Sequence, residues 1–102
     1  MTGDEIPPAS FEGCLTRKLE IVNKKGLHAR ATAKLVQCID GFEAEVFIHR
    51  CGETVNGTSI MGILTLGAGI GSHITVATRG AQAEQALEAI AALVANRFGE
   101  DE

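Results

Sequence analysis

The sequence predicts an α+β domain in two layers, a mainly antiparallel sheet with helices against one face. Three observations lead there. Four short segments alternate apolar and polar residues, and three others repeat their apolar residues at helical spacing. The order that results is β-α-β-β-α-β-α. The strand segments alternate instead of being apolar throughout, which fits a sheet covered on one side only.

Taken in order, residues 1–12 are polar and broken by Pro7 and Pro8, and a loose tail is expected. Residues 14–22 alternate, with Leu15, Leu19 and Ile21 on one face and Thr16, Lys18 and Glu20 on the other. A helix is predicted over 28–40, where Thr32, Leu35, Val36 and Ile39 share a stripe and Asp40-Gly41 supplies the stop. Residues 43–50 alternate again, with Ala44, Val46 and Ile48 inward, and Cys51-Gly52 turns the chain into a short strand at 53–56. Gly57-Thr58-Ser59 opens a short helix over 60–66, with Ile60, Ile63 and Leu64 at core spacing.

The glycine-rich run 67–71 precedes a strand instead of a helix and is followed by no GK[ST], so it is a connector and not a phosphate-binding loop. A fourth strand follows over 72–78, with Ile74 and Val76 inward. The last helix is marked by Ala83, Ala86, Leu87, Ile90, Leu93, Val94 and Phe98 and ended by Gly99. One domain therefore spans 13–99, between the tail 1–12 and an acidic tail, 100–102.

Composition excludes several classes of function. No apolar run approaches the ~20 residues of a membrane span, and the first residues lack the basic start and apolar stretch of a signal peptide. A cytoplasmic monomer is expected. The three cysteines, Cys14, Cys38 and Cys51, are odd in number and form no CxxC pair, as expected of bystander thiols. The net charge of −4 is unevenly spread, with six of 13 acids in the two tails. Six of the nine bases, Arg17, Lys18, Lys24, Lys25, Arg30 and Lys34, cluster around His28, and such a field steers acidic or phosphate-bearing partners. Nucleic acid is disfavoured, because the chain is acidic and has no Tyr or Trp to stack bases.

His28 falls at the opening turn of the first helix. Backbone N–H groups there lack intrahelical partners and the dipole is positive, so anions bind readily. With Arg30 two residues on, an imidazole nucleophile, an anion cradle and a guanidinium fork come together, as a group that takes up and releases phosphoryl needs. Ser59 stands where a helix cap belongs. A metal site would require His28, His49 and His73 to converge from three elements, and neither a metal nor a cofactor is expected.

Gly26-Leu27-His28-Ala29-Arg30, together with Asn56-Gly57-Thr58-Ser59-Ile60-Met61-Gly62 at its separation and the element order, resembles the phosphocarrier HPr family of the phosphoenolpyruvate-dependent phosphotransferase system, over about residues 14–98. The resemblance implies an open-faced β-sandwich, a four-stranded antiparallel sheet with three helices on one face. It implies that His28 accepts phosphoryl on Nδ1 from phosphorylated enzyme I and passes it to an enzyme IIA-type acceptor, Arg30 pairing with the phosphate. The chain would then be a carrier and not an enzyme. The resemblance also implies phosphorylation of Ser59 by an HPr kinase/phosphorylase.

Ile60, Met61 and Leu64 cannot all face the core of so short a helix, and those left exposed, with Ala29 and Lys34, are the expected partner-docking residues. Many family members have proline after the arginine, where this chain has Ala31, a strong helix former. The Ala-Arg-Ala sequence and the acidic N-terminal extension resemble the nitrogen-type regulatory branch. Two other functions fit the layering: a non-catalytic regulatory module governed through Ser59 alone, and a small-molecule-binding domain with a deep apolar pocket. His28 with Arg30 favours the carrier.

Overall fold

The computed structural model describes residues 13–102. The tail predicted for residues 1–12 lies outside the described residues. Four strands, β1 (Leu15–Glu20), β2 (Glu45–Arg50), β3 (Glu53–Asn56) and β4 (His73–Arg79), form one sheet in the order β1-β4-β2-β3. Every neighbouring pair is antiparallel. Three helices, α1 (Ala29–Asp40), α2 (Ile60–Thr65) and α3 (Ala83–Ala95), build the second layer, and the element order is the one the sequence predicts.

The register explains which strand residues are buried. Val76 stands opposite Ile48 on one side and Arg17 on the other, and Ile48 in turn faces Val55. Alternation then puts Ile74, Val76, Val46 and Ile48 on the face that meets the helices. They form one core with Leu35 and Ile39 of α1, Ile63 of α2, and Leu87, Ile90 and Val94 of α3. The central strands β4 and β2 carry the fully buried residues, each worth about 1.5–3 kcal/mol on burial. Leu15, predicted to face inward, is 44% exposed, because it lies at the far end of an edge strand.

Two helix expectations are corrected. Ile60 shares core spacing with Ile63, yet it is 42% exposed while Ile63 is fully buried, since a six-residue helix buries only one stripe. The last helix does not run on to Phe98. It ends at Ala95, and Arg97 (φ 56°), Phe98 (φ 54°) and Gly99 (φ 78°) then form a left-handed turn. Phe98 nevertheless reaches the core, at 1% exposed. Two successive non-glycine residues at positive φ are costly, and the burial of the Phe98 ring stabilises the turn.

Helix ends are closed in different ways. At the end of α1 the Gly41 N–H donates to the Cys38 carbonyl at 3.2 Å and the Phe42 N–H to the Ile39 carbonyl at 3.1 Å. At the end of α2, Arg50 reaches over from β2 and Nη1 donates to the Leu66 carbonyl at 2.9 Å, a favourable place for a cation. No helix among the described residues is long and apolar enough to cross a membrane.

Candidate functional site

The approach to His28 is fixed by backbone. Asn23 is fully buried, and its Nδ2 donates to the Gly26 carbonyl at 2.8 Å, while the Gly26 N–H returns to the Asn23 carbonyl at 3.1 Å. Gly26 has φ +66°, and a Cβ there would stand 2.5 Å from the Ala68 carbonyl oxygen and 2.8 Å from Gly69 Cα. Only glycine meets both demands. The Leu27 N–H then donates to the same Ala68 carbonyl at 2.9 Å. The glycine-rich connector thus forms the floor on which the histidine loop rests.

His28 is the residue just before α1, in extended conformation (φ −78°, ψ 177°), and its side chain makes no capping hydrogen bond. Its carbonyl accepts from Thr32 N–H, so the helix starts normally. The N–H groups of Ala29, Arg30 and Ala31 have no partner among the described residues. The positive end of the helix dipole therefore stays open beside the imidazole. Ala31 is fully buried in the first turn of α1, which forms with alanine at that position.

An open pocket at this helix start is lined by Lys25, His28, Ala29, Arg30, Glu100, Asp101 and Glu102. Arg30 is exposed, and its guanidinium has no ion-pair partner among the described residues, so it is available to an incoming anion. The three acids are those that the sequence assigns to a tail. Glu100 Oε2 stands 2.5 Å from His28 Nε2, and Oε1 accepts from Asn23 Nδ2 at 3.0 Å. The hydrogen bond from His28 holds the Glu100 carboxyl below the usual carboxylate range, with the Asn23 amide and the Lys25 charge adding to it and partial burial opposing.

The left-handed turn delivers this carboxylate. Lys34 Nζ donates to the Phe98 carbonyl at 2.7 Å, Glu100 N–H donates to the Arg97 carbonyl at 2.9 Å, and Lys24 N–H to the Glu102 carbonyl at 3.0 Å. The Lys34 ammonium, expected to meet partners, is therefore committed at least in part to the chain's own C-terminal turn.

Ser59 caps α2 in extended conformation, and its Oγ accepts from Gly62 N–H at 3.1 Å. Neither Ser59 nor Ile60, Met61 or Leu64 lines the His28 pocket, although α2 packs against α1. Among the described residues Met61 (71% exposed) and Ile70 (61%) are the most exposed large apolar ones, and Leu64 is half-buried. His73 is exposed. His49 lies on the sheet face opposite the helices, yet it is 4% exposed, with Nδ1 2.9 Å from Thr54 Oγ1. No cluster of three metal-binding side chains exists among the described residues. The cysteines are unpaired, and burial pushes the Cys38 thiol up.

Glu100 and Asn23 are the site residues that sequence reasoning missed. No periodicity or motif marks either one, because the contact that joins Asn23 and His28 to Glu100 exists only once the chain reverses at 97–99.

Comparison with known proteins points in one direction. Residues 15–96 match the family model described as the PTS HPr component phosphorylation site. The phosphocarrier protein HPr of Cupriavidus necator is 50% identical over 88 residues, covering 86% of this chain and 99% of that protein. The phosphocarrier protein NPr of Shewanella violacea is 42% identical over 86 residues, covering 84% and 94%. Among solved structures, HPr from Thermoanaerobacter tengcongensis superposes with a TM-score of 0.83 at 35% identity, covering 86% of this chain and 99% of that one.

Proposed function

The chain belongs to the HPr family of phosphocarriers of the phosphotransferase system, and from that premise we propose that His28 is its phosphoryl acceptor. Nδ1 attacks the phosphoryl carried by enzyme I; the new N–P bond forms as the bond that holds the group on the donor breaks. The bond at Nδ1 breaks in turn when an enzyme IIA-type protein takes the group. Arg30 pairs with the phosphoryl oxygens, and the open N–H groups of the first turn of α1 complete the cradle. Catalysis here is positioning and charge stabilisation, much of it supplied by the partner.

One observation carries this reading: the His28 side chain stands at a helix start without capping it, beside Arg30, whose guanidinium has no ion-pair partner among the described residues. A histidine whose task was to cap the helix would spend its ring on those N–H groups. The regulatory module governed only by Ser59 would have no use for that open arrangement. Ser59 is proposed as a second, regulatory phosphorylation site for an HPr kinase/phosphorylase, and its position at the start of α2 favours a phosphate there. The exposed Ile60 and Met61, with Ala29, are proposed to meet the partners. Work in the cytoplasm as a monomer is part of the same proposal.

The test is to incubate the protein with phosphoenolpyruvate and enzyme I. An acid-labile phosphoryl group that disappears in His28→Ala supports the carrier; label retained in that variant removes it. Whether sugar uptake or nitrogen regulation consumes the phosphoryl is decided by offering both kinds of IIA acceptor. Both HPr and NPr proteins are relatives of this chain, so we leave the nitrogen-type branch as the arm under test.

A further inference from the structure

We propose that Glu100 is a positioning residue for His28: its carboxylate holds the imidazole as the Nε2–H tautomer, leaving the Nδ1 lone pair free for phosphoryl. The inference rests on the reading of His28 as phosphoryl acceptor, and it concerns a residue that lies beyond the family's histidine motif.

The geometry is specific. A carboxylate only accepts hydrogen bonds. Glu100 Oε1 is already directed to Asn23 Nδ2, at 3.0 Å, and Oε2 lies 2.5 Å from His28 Nε2. The proton between Glu100 and His28 therefore sits on Nε2, and in a neutral imidazole the other nitrogen then carries the lone pair. The side chains are 28% (His28) and 18% (Glu100) exposed, which limits the competition of water for the bond. Asn23 in turn is fixed, since its Nδ2 also serves the Gly26 carbonyl.

This arrangement simplifies the chemistry. When the N–P bond forms at Nδ1, the electron pair of the breaking bond stays with the donor and the proton stays on Nε2. The ring then gains positive charge, and the Glu100 carboxylate faces it. On onward transfer the electron pair of the N–P bond returns to Nδ1, again with no proton moving at His28. A carboxylate that holds a catalytic imidazole in its working tautomer is a recurring device. The other charges around the pair are Lys25, Arg30, Asp101 and Glu102 in the pocket, with Arg97 beside Glu100 on the other side. The cations offset the negative charge that Glu100 adds near the phosphoryl.

The experiment compares Glu100→Ala with Glu100→Gln. A purely structural Glu100 makes glutamine, of the same shape, the milder change. Tautomer control predicts the reverse. The Asn23 amide requires an acceptor, so it takes the glutamine oxygen and turns the glutamine NH₂ towards Nε2. The ring is then driven to the Nδ1–H tautomer, and the nucleophile is blocked.

Nitrogen-15 spectra of the His28 ring, recorded on unphosphorylated protein at about pH 8 where an ordinary imidazole is neutral, should show Nε2–H in the wild type. Glu100→Ala should show a mixture, and Glu100→Gln mainly Nδ1–H. Phosphoryl acceptance from phosphorylated enzyme I should follow the same order, with the glutamine variant at least about tenfold slower than wild type. Identical ring spectra in all three proteins, or an alanine variant slower than the glutamine one, would overturn the proposal. Should the spectra follow the stated order while the wild type takes no phosphoryl, the tautomer assignment stands and the carrier reading falls.

Discussion

His28 and Ser59 both stand immediately before a helix, in extended backbone, and they treat that position in opposite ways. Ser59 turns its hydroxyl back on its own helix and accepts from Gly62 N–H at 3.1 Å. His28 turns away, bonding to Glu100 and leaving the N–H groups of Ala29, Arg30 and Ala31 without partners among the described residues. A helix start that closes its N–H groups with its own side chain contributes stability. One that leaves them open keeps them for a ligand, and its residue must be held by something other than the helix. At His28 that support comes from the Gly26 loop below and the C-terminal turn beside it.

The sharpest way to break this contrast is to exchange alanine at the two positions. His28→Ala should abolish the acid-labile label and leave cooperative unfolding intact. Ser59→Ala should keep the label and cost about 1 kcal/mol of stability, the usual value of an N-cap. Denaturation and phosphoryl-acceptance assays on both variants check this; loss of acceptance in Ser59→Ala would mean that the capping hydroxyl also serves the chemistry.

Gly26→Ala should strike the support itself. The added Cβ meets the Ala68 carbonyl at 2.5 Å in a left-handed backbone, which together cost about 2–4 kcal/mol. A urea midpoint close to wild type would show that the floor gives way.

Charge at the other helix start gives a smaller effect. Ser59→Asp should slow transfer from enzyme I several-fold at low salt, by repelling a partner that arrives carrying phosphoryl. The difference should shrink as salt rises. Equal rates at low ionic strength would leave Ser59 as a cap alone.

The smallest effect is in acid. The carboxyl of Glu100 lies below its ordinary value of 4.5 in the folded chain, so its contribution is complete above that value and fades as pH falls through the lowered one. The difference in melting temperature between wild type and Glu100→Ala should therefore be largest above the ordinary value and close as pH falls well below it. A difference that persists at the acid end would mean that the side chain stabilises by packing.

Much of this could be read from the sequence, because alternation and helical spacing report the same half-buried surfaces that the register creates. The strand 53–56 and the cap at Ser59 are found where turn and capping chemistry put them. His28 and Arg30 are legible as candidates because both belong to one helix start. The end of α3 is not, since Phe98 lies four residues beyond Val94 and suits either a continued helix or a turn that brings the ring back to the core. The sequence offers no reason to set Arg97 and Phe98 at positive φ, and without that reversal Glu100 reads as part of an acidic tail. The charge map carried the same error, counting Glu100, Asp101 and Glu102 as distant from a pocket that they line.

The floor beneath His28 has a consequence for how this chain can vary. The connector meets the histidine loop through backbone atoms, the Ala68 carbonyl with Leu27 N–H and Gly69 Cα below Gly26. Main-chain contacts do not depend on which side chains the connector carries. A side chain at Gly69 would meet nothing within 4 Å, and Ile70 points into solvent at 61% exposed. Spelling changes at these two positions should pass unnoticed by the histidine. Adding or removing a single residue in the connector would carry Ala68 out of reach of Leu27 and unseat the loop. This stretch is free in its letters and strict in its length.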